Sequence, residues 1–127
     1  MKYLFLLFLF LCSDLKSQEN TTLKQEIDQH QKGIGLWWTG HNGWIIKSND
    51  LVISTDILLN YDKRINKPPI TEKELAQILD ISFVTHYHKD HFARSVSKVL
   101  IEESNCIFVI PESCLEVAKE LEIPPER

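Results

Sequence analysis

The sequence predicts an α/β chain, α+β by strict class: a meander of antiparallel strands followed by alternating helices and strands. Three observations carry this. Between residues 34 and 55, three short runs rich in β-branched and aromatic residues are separated by two turn signals, "GHNG" and "ND". From residue 71, helical periodicity alternates with short apolar runs, "ISFVT" and "CIFVI". Two Ser/Thr-x-x-Glu patterns, Thr71 with Glu74 and Ser113 with Glu116, stand where helices should begin.

Met1-Lys2 precedes the wholly apolar run YLFLLFLFLC at 3–12, the pattern of a secretory signal peptide. The run is well short of the roughly 20 apolar residues that span a bilayer. Residues 1–17 are therefore expected to be a leader, with export to the periplasm or beyond. Membrane contact is expected only through that leader or through a lipid anchor on Cys12, although bulky Phe10 and Leu11 precede Cys12. Removing 1–17 leaves 12 basic against 17 acidic residues, net −5. That balance excludes nucleic acid as an expected partner, because phosphate binding needs clustered Lys and Arg.

Residues 18–32 are polar except for Leu23 and Ile27, four apart, and read as a linker or a short surface helix with a solvated His30. The domain is expected over 33–127. "IGLWWTG" sets Ile34, Leu36 and Trp38 on one side of a first strand, and "WIIKS" and "LVIST" follow as the second and third. The third ends at Asp56. A loop with two prolines leads to the helix begun by Thr71, which turns Leu75, Ile78 and Leu79 inward and ends near Asp80. "ISFVT" reads as a strand buried on both faces. Phe92, Val96, Val99 and Leu100 recur at helical spacing and place a helix over 93–103. "CIFVI" is a further buried strand, and "CLEVAKEL" the last helix. Cys106 and Cys114 flank a strand and turn too extended for a disulfide, so both are expected to be buried free thiols.

Between the strand "ISFVT" and the next helix stands "THYHKDHF", residues 85–92. Such a loop presents its side chains to a common point. His86, His88 and His91, with Asp90, are donors of the kind that bind zinc at about 2.0–2.2 Å. His86 and His88 alternate and point the same way on extended chain. Asp90 and His91 converge only if the chain turns, and then face a second point. The spacing suits two metal ions better than one. His41, in the "GHNG" turn, either lies near the same face or is a turn histidine packed beside Trp44.

"HYHKDH" resembles the H-x-H-x-D-H signature of the metallo-β-lactamase-fold hydrolases. "WTGHNGWII" followed by "LVISTD" looks like the opening of the lactonase-like and phospholipase-D-like branch of that superfamily, though Ile57 stands where many members carry proline. The likeness runs over about residues 34–121. It implies the N-terminal half of an αββα sandwich, with His86 and His88 on a first metal and Asp90 and His91 on a second. Asp56 would brace the loop; otherwise it caps a turn at the end of its strand. The implied metal is zinc, two ions in the complete site, with iron or manganese as alternatives. The implied reaction is hydrolysis of an ester, lactone or phosphodiester in a small-molecule substrate by metal-held hydroxide, with Asp90 as the catalytic group that positions or accepts the water's proton. The family pattern also calls for later His and Asp ligands. No histidine follows His91, and every acid beyond it is a glutamate. The expectation is therefore a partial domain of doubtful competence, or a non-catalytic half that binds metal weakly. Half a sandwich would leave an apolar sheet face open to association, with Trp37, Trp38, Trp44 and Phe83 among the residues exposed.

Overall fold

The computed structural model describes residues 21–127, so the expected leader at 1–17 lies outside the described residues. The order is α1 (Leu23–Gln29), β1 (Ile34–Gly40), β2 (Gly43–Ser48), β3 (Leu51–Thr55), α2 (Glu72–Ala76), β4 (Ile81–Phe83), α3 (Arg94–Glu103), β5 (Ile107–Val109), a 3-10 turn (Glu112–Cys114) and α4 (Leu115–Glu120). The described residues are mixed α+β, and their five strands form one sheet in the order β1-β2-β3-β4-β5. The first three strands pair antiparallel, whereas β3–β4 and β4–β5 are parallel. None of the described helices is long and apolar enough to cross a membrane.

Two tight turns build the meander. Gly40 has φ 102 and His41 φ 51 between β1 and β2, and Asn49 has φ 55 between β2 and β3. The positive φ at Gly40 is what calls for glycine; a Cβ there would also come within 2.9 Å of the Arg64 guanidinium, which would have to shift. The segment 18–32 does contain a helix, capped reciprocally by Thr22 and Gln25. Its Ile27 is fully buried, and Lys47 of β2 reaches up from the covered face to donate to the carbonyls of Ile27 (2.7 Å) and Asp28 (3.3 Å). A cation at a helix C-terminus meets the negative end of the backbone dipoles. His30 departs from its expected solvation. It ends α1, its ring stands edge-on to Trp37 at 5.4 Å, and its Nε2 is buried.

Thr71 and Glu74 form the predicted capping box, with Glu74 N–H donating to Thr71 Oγ1 (3.2 Å) and Thr71 N–H to Glu74 Oε2 (2.9 Å). The second expected box is absent. Ser113 lies inside the 3-10 turn, and α4 begins after Cys114 without a side-chain cap. The tight turn takes up the residues that a Ser113 cap would have needed in extended conformation.

All four helices contribute to a single core against one face of the sheet. Ile27, Leu75, Val96, Leu100 and Val117 pack there with Ile45, Val52 and Phe108. Cys106 and Cys114 are buried and free, as expected. The opposite face carries Ile34, Leu36 and Trp38 of β1, Trp44 and Ile46 of β2, Leu51 and Ile53 of β3, Ile81 and Phe83 of β4, and Ile107 and Val109 of β5. The strand registers align them in cross-strand rows. Ile34, Leu36 and Trp38 are 70%, 61% and 60% exposed. Two expectations change accordingly. "ISFVT" and "CIFVI" are buried on one face only, with Ser82 and Phe108 inward while Ile107 and Val109 are exposed. Trp37 is not on the open face: it alternates to the covered side, where its ring lies over Gly35.

Candidate metal centre

The sheet gathers the site at one end. β1, β3 and β4 run in the same direction, so the β1–β2 turn, Asp56 and the histidine loop all leave the same edge. In open sheets with parallel strands, the C-terminal edge is the usual place for ligands. The parallel register sets Thr55 opposite Phe83, and Asp56 N–H donates to Phe83 O at 3.0 Å. Asp56 is therefore held beside the start of the loop by pairing, before any side-chain contact is counted.

Its carboxylate then organises the loop. Asp56 Oδ1 accepts from Thr85 N–H at 2.8 Å, and Oδ2 accepts from Thr85 Oγ1 at 2.8 Å. His91 Nδ1 lies 3.0 Å from the same Oδ2. Asp56 is 6% exposed and adopts φ 46, a left-handed conformation that costs an ordinary residue roughly 1 kcal/mol or more. Asp tolerates it better than most residues, and here the conformation aims the carboxylate along the loop. Asp56 is thus a bracing residue in geometry as well as the end of a strand.

The loop turns sharply after His88. His91 N–H and Phe92 N–H both donate to His88 O, at 2.9 and 2.7 Å. Phe92 is fully buried and anchors the turn. The turn folds His91 back, so that its ring centroid lies 3.8 Å from that of His86. His86 Nε2 and His88 Nδ1 are 3.1 Å apart, close to the roughly 3.3 Å between two nitrogens that share a tetrahedral zinc. Asp90 Oδ2 and His91 Nε2 are 3.7 Å apart, so those two side chains converge as a turning chain requires. With Nδ1 of His91 held by Asp56, Nε2 is the ring nitrogen turned toward the Asp90 side.

Two residues of the β1–β2 turn complete the site. His41 Nε2 lies 3.1 Å from Asp90 Oδ2, and Asn42 Nδ2 lies 2.8 Å from His91 Nε2. His41 therefore faces the histidine loop, and its ring neighbour is Tyr61 at 5.6 Å. The His41 hydrogen bond, a backbone N–H and the nearby His91 together hold the Asp90 carboxyl below its ordinary 3.8. Asn42 had no signal in the sequence beyond its place in a turn; only the folded meander brings it to His91.

The donor chemistry fits zinc in pairs. His86 with His88 and Asp90 with His91 each offer two donors at ligand-like spacing. Asn42 and His41 occupy the inner atoms of the second pair, and would move aside or serve as outer partners when an ion binds. Among the described residues, no three His, Cys, Asp or Glu side chains converge on one metal position. No family model matches the chain, and none of the curated proteins matches it either.

Proposed function

We propose that the chain carries the histidine loop of a metal-dependent hydrolase of the metallo-β-lactamase kind, with the described domain as part of its αββα sandwich. His86 and His88 hold a first zinc, and Asp90 and His91 a second. The observation that carries this is Asp56. It fixes His91 through Nδ1 and pins the loop through Thr85, the arrangement by which outer carboxylates orient ligand imidazoles. A solvated histidine cluster has no use for a buried carboxylate in a left-handed conformation. When bound, the ions supply a water of lowered pKa and stabilise negative charge that develops on an ester, lactone or phosphodiester. Asp90 would orient the attacking water or accept its proton, and the 3.1 Å contact from His41 Nε2 holds its carboxylate in place.

The pairing of donors favours a second reading: weak metal binding without turnover, since a catalytic zinc ordinarily takes three protein ligands and a water. A zinc titration followed by calorimetry, together with hydrolysis of p-nitrophenyl acetate and bis(p-nitrophenyl) phosphate, separates the two. Two zinc ions per chain, with turnover lost in His88→Ala, supports the hydrolase. Zinc uptake without turnover selects the weak-binding reading, and no zinc uptake at all overturns both.

A further inference from the structure

Beside the loop, two clefts adjoin. One, of about 430 Å³, is lined by His41, Tyr61, Lys63, Lys89, Asp90 and Arg94 among others. The other, of about 330 Å³, runs from His41, Tyr61 and Lys63 to Trp38, Arg64 and Ile65. The three shared residues join them into one trough passing the His41–Asp90 pair. Cationic side chains and apolar surface share it. Lys63, Lys89 and Arg94 line the first cleft, and Lys63 lines the second as well, in a chain whose net charge is −4. Arg94 is paired with Glu120 at 2.8 Å, whereas neither Lys63 nor Lys89 has an ion-pair partner among the described residues. Among the described residues, Asp90 is the only acid in the lining of either cleft, and His41 already engages it. Both clefts also present apolar surface. Ile65 is 97% exposed at its loop, and Tyr61 and Trp38 present ring surface beside it. Arg64 is committed to structure, donating to the carbonyls of Thr39, Leu58 and Asn66, and so fixes the loop that carries Lys63 and Ile65.

Two unpaired lysines facing a cleft form a site for negative charge, and a flat apolar shelf next to them forms a site for an acyl or aryl group. We propose that this trough binds an amphiphilic organic anion: an anionic head on Lys63 and Lys89, and an apolar body on Tyr61, Trp38 and Ile65. The proposal deepens the hydrolase reading by naming the substrate class, and it rests on that reading only for the role of substrate; the binding site itself needs no metal.

The test is therefore run in EDTA. The chain is titrated with 1-naphthyl phosphate, inorganic phosphate and neutral 1-naphthol, followed by two-dimensional amide NMR. The expected result is saturable binding of 1-naphthyl phosphate, with shifts confined to residues 38–41, 60–66 and 89–95. Inorganic phosphate and 1-naphthol should each bind at least about tenfold more weakly, because each engages the lysines or the apolar surface alone. The double substitution Lys63→Gln/Lys89→Gln should weaken 1-naphthyl phosphate about tenfold or more and leave 1-naphthol unchanged, while Leu36→Lys on the open sheet face should change nothing. Equal binding of 1-naphthol and its phosphate overturns the proposal, as do shifts centred on the sheet face or indifference to the lysine substitutions. Failure of zinc binding in the separate titration leaves this result standing, so the two readings fail independently.

Discussion

Asp56 shows how much one side chain can be asked to do. It accepts from one backbone N–H and one hydroxyl, engages one imidazole, and sits in a left-handed conformation to reach all three. Asp56→Ala removes the acceptor, leaves part-buried donors behind and puts alanine at a left-handed φ, so it should lower unfolding free energy by about 1–3 kcal/mol in urea titrations. Asp56→Asn keeps the shape and the left-handed tolerance but replaces an acceptor with a donor. It should weaken zinc binding about 10–100-fold while costing less stability than alanine. Equal losses in both assays for the two variants would show that Asp56 only ends its strand. Lys47 invites a parallel experiment on the covered face. Lys47→Ala removes the charge that meets the carbonyls of Ile27 and Asp28, and should cost about 1.5–3 kcal/mol, with faster amide exchange confined first to α1.

At the scale of elements, α2 is short and depends on its start. Thr71→Ala deletes the N-cap acceptor and should cost about 1 kcal/mol. The backbone N–H and hydroxyl of Thr71 hold the Glu74 carboxyl below its ordinary 4.5. A depressed carboxylate contributes stability that is complete above the unfolded value and is lost as pH falls through the folded one. Thr71→Ala keeps the larger backbone contribution and removes only that of the hydroxyl, so acid titration of unfolding from pH 6 downward should be slightly less steep than in the unmodified chain. This helix start was legible because a capping box is local, four residues that carry their own partners. The same signature at Ser113 misled, because the tight turn at Glu112–Cys114 claims Ser113, and no four-residue window records that competition. The strands of the meander were legible for a similar reason: alternation and turn residues are local. Which face stayed open on β4 and β5 was not, since three-residue strands are too short for alternation to show. The site divides along the same line. His86, His88, Asp90 and His91 stand together in sequence, whereas His41, Asn42 and Asp56 join them only through the parallel register of β3 and β4 and the shared edge of β1.

At the largest scale, the described residues form a one-sided sheet: helices and core against one face, uncharged apolar rows on the other. An exposed apolar patch of this extent is unusual for a soluble surface and marks a place of association. The chain should enhance the fluorescence of an apolar dye such as anilinonaphthalene sulfonate without denaturant, and Leu36→Lys should reduce that signal without moving the urea midpoint. An unchanged signal would show that the face is shielded in solution. On the covered side, burial pushes the Cys106 thiol up to about 11, and Cys114 is likewise enclosed. Both thiols should resist a disulfide reagent at pH 8 until the chain unfolds. The three tryptophans fall on either side of this division. Trp37 lies against His30 beneath the sheet, while Trp38 and Trp44 pair across strands on the open face, and Trp38 alone also borders the trough. The molecule thus carries its own optical probes. Acrylamide should quench two indoles readily and the third poorly, and a ligand entering beside Ile65 should shift the emission of Trp38 to the blue while Trp37 stays silent.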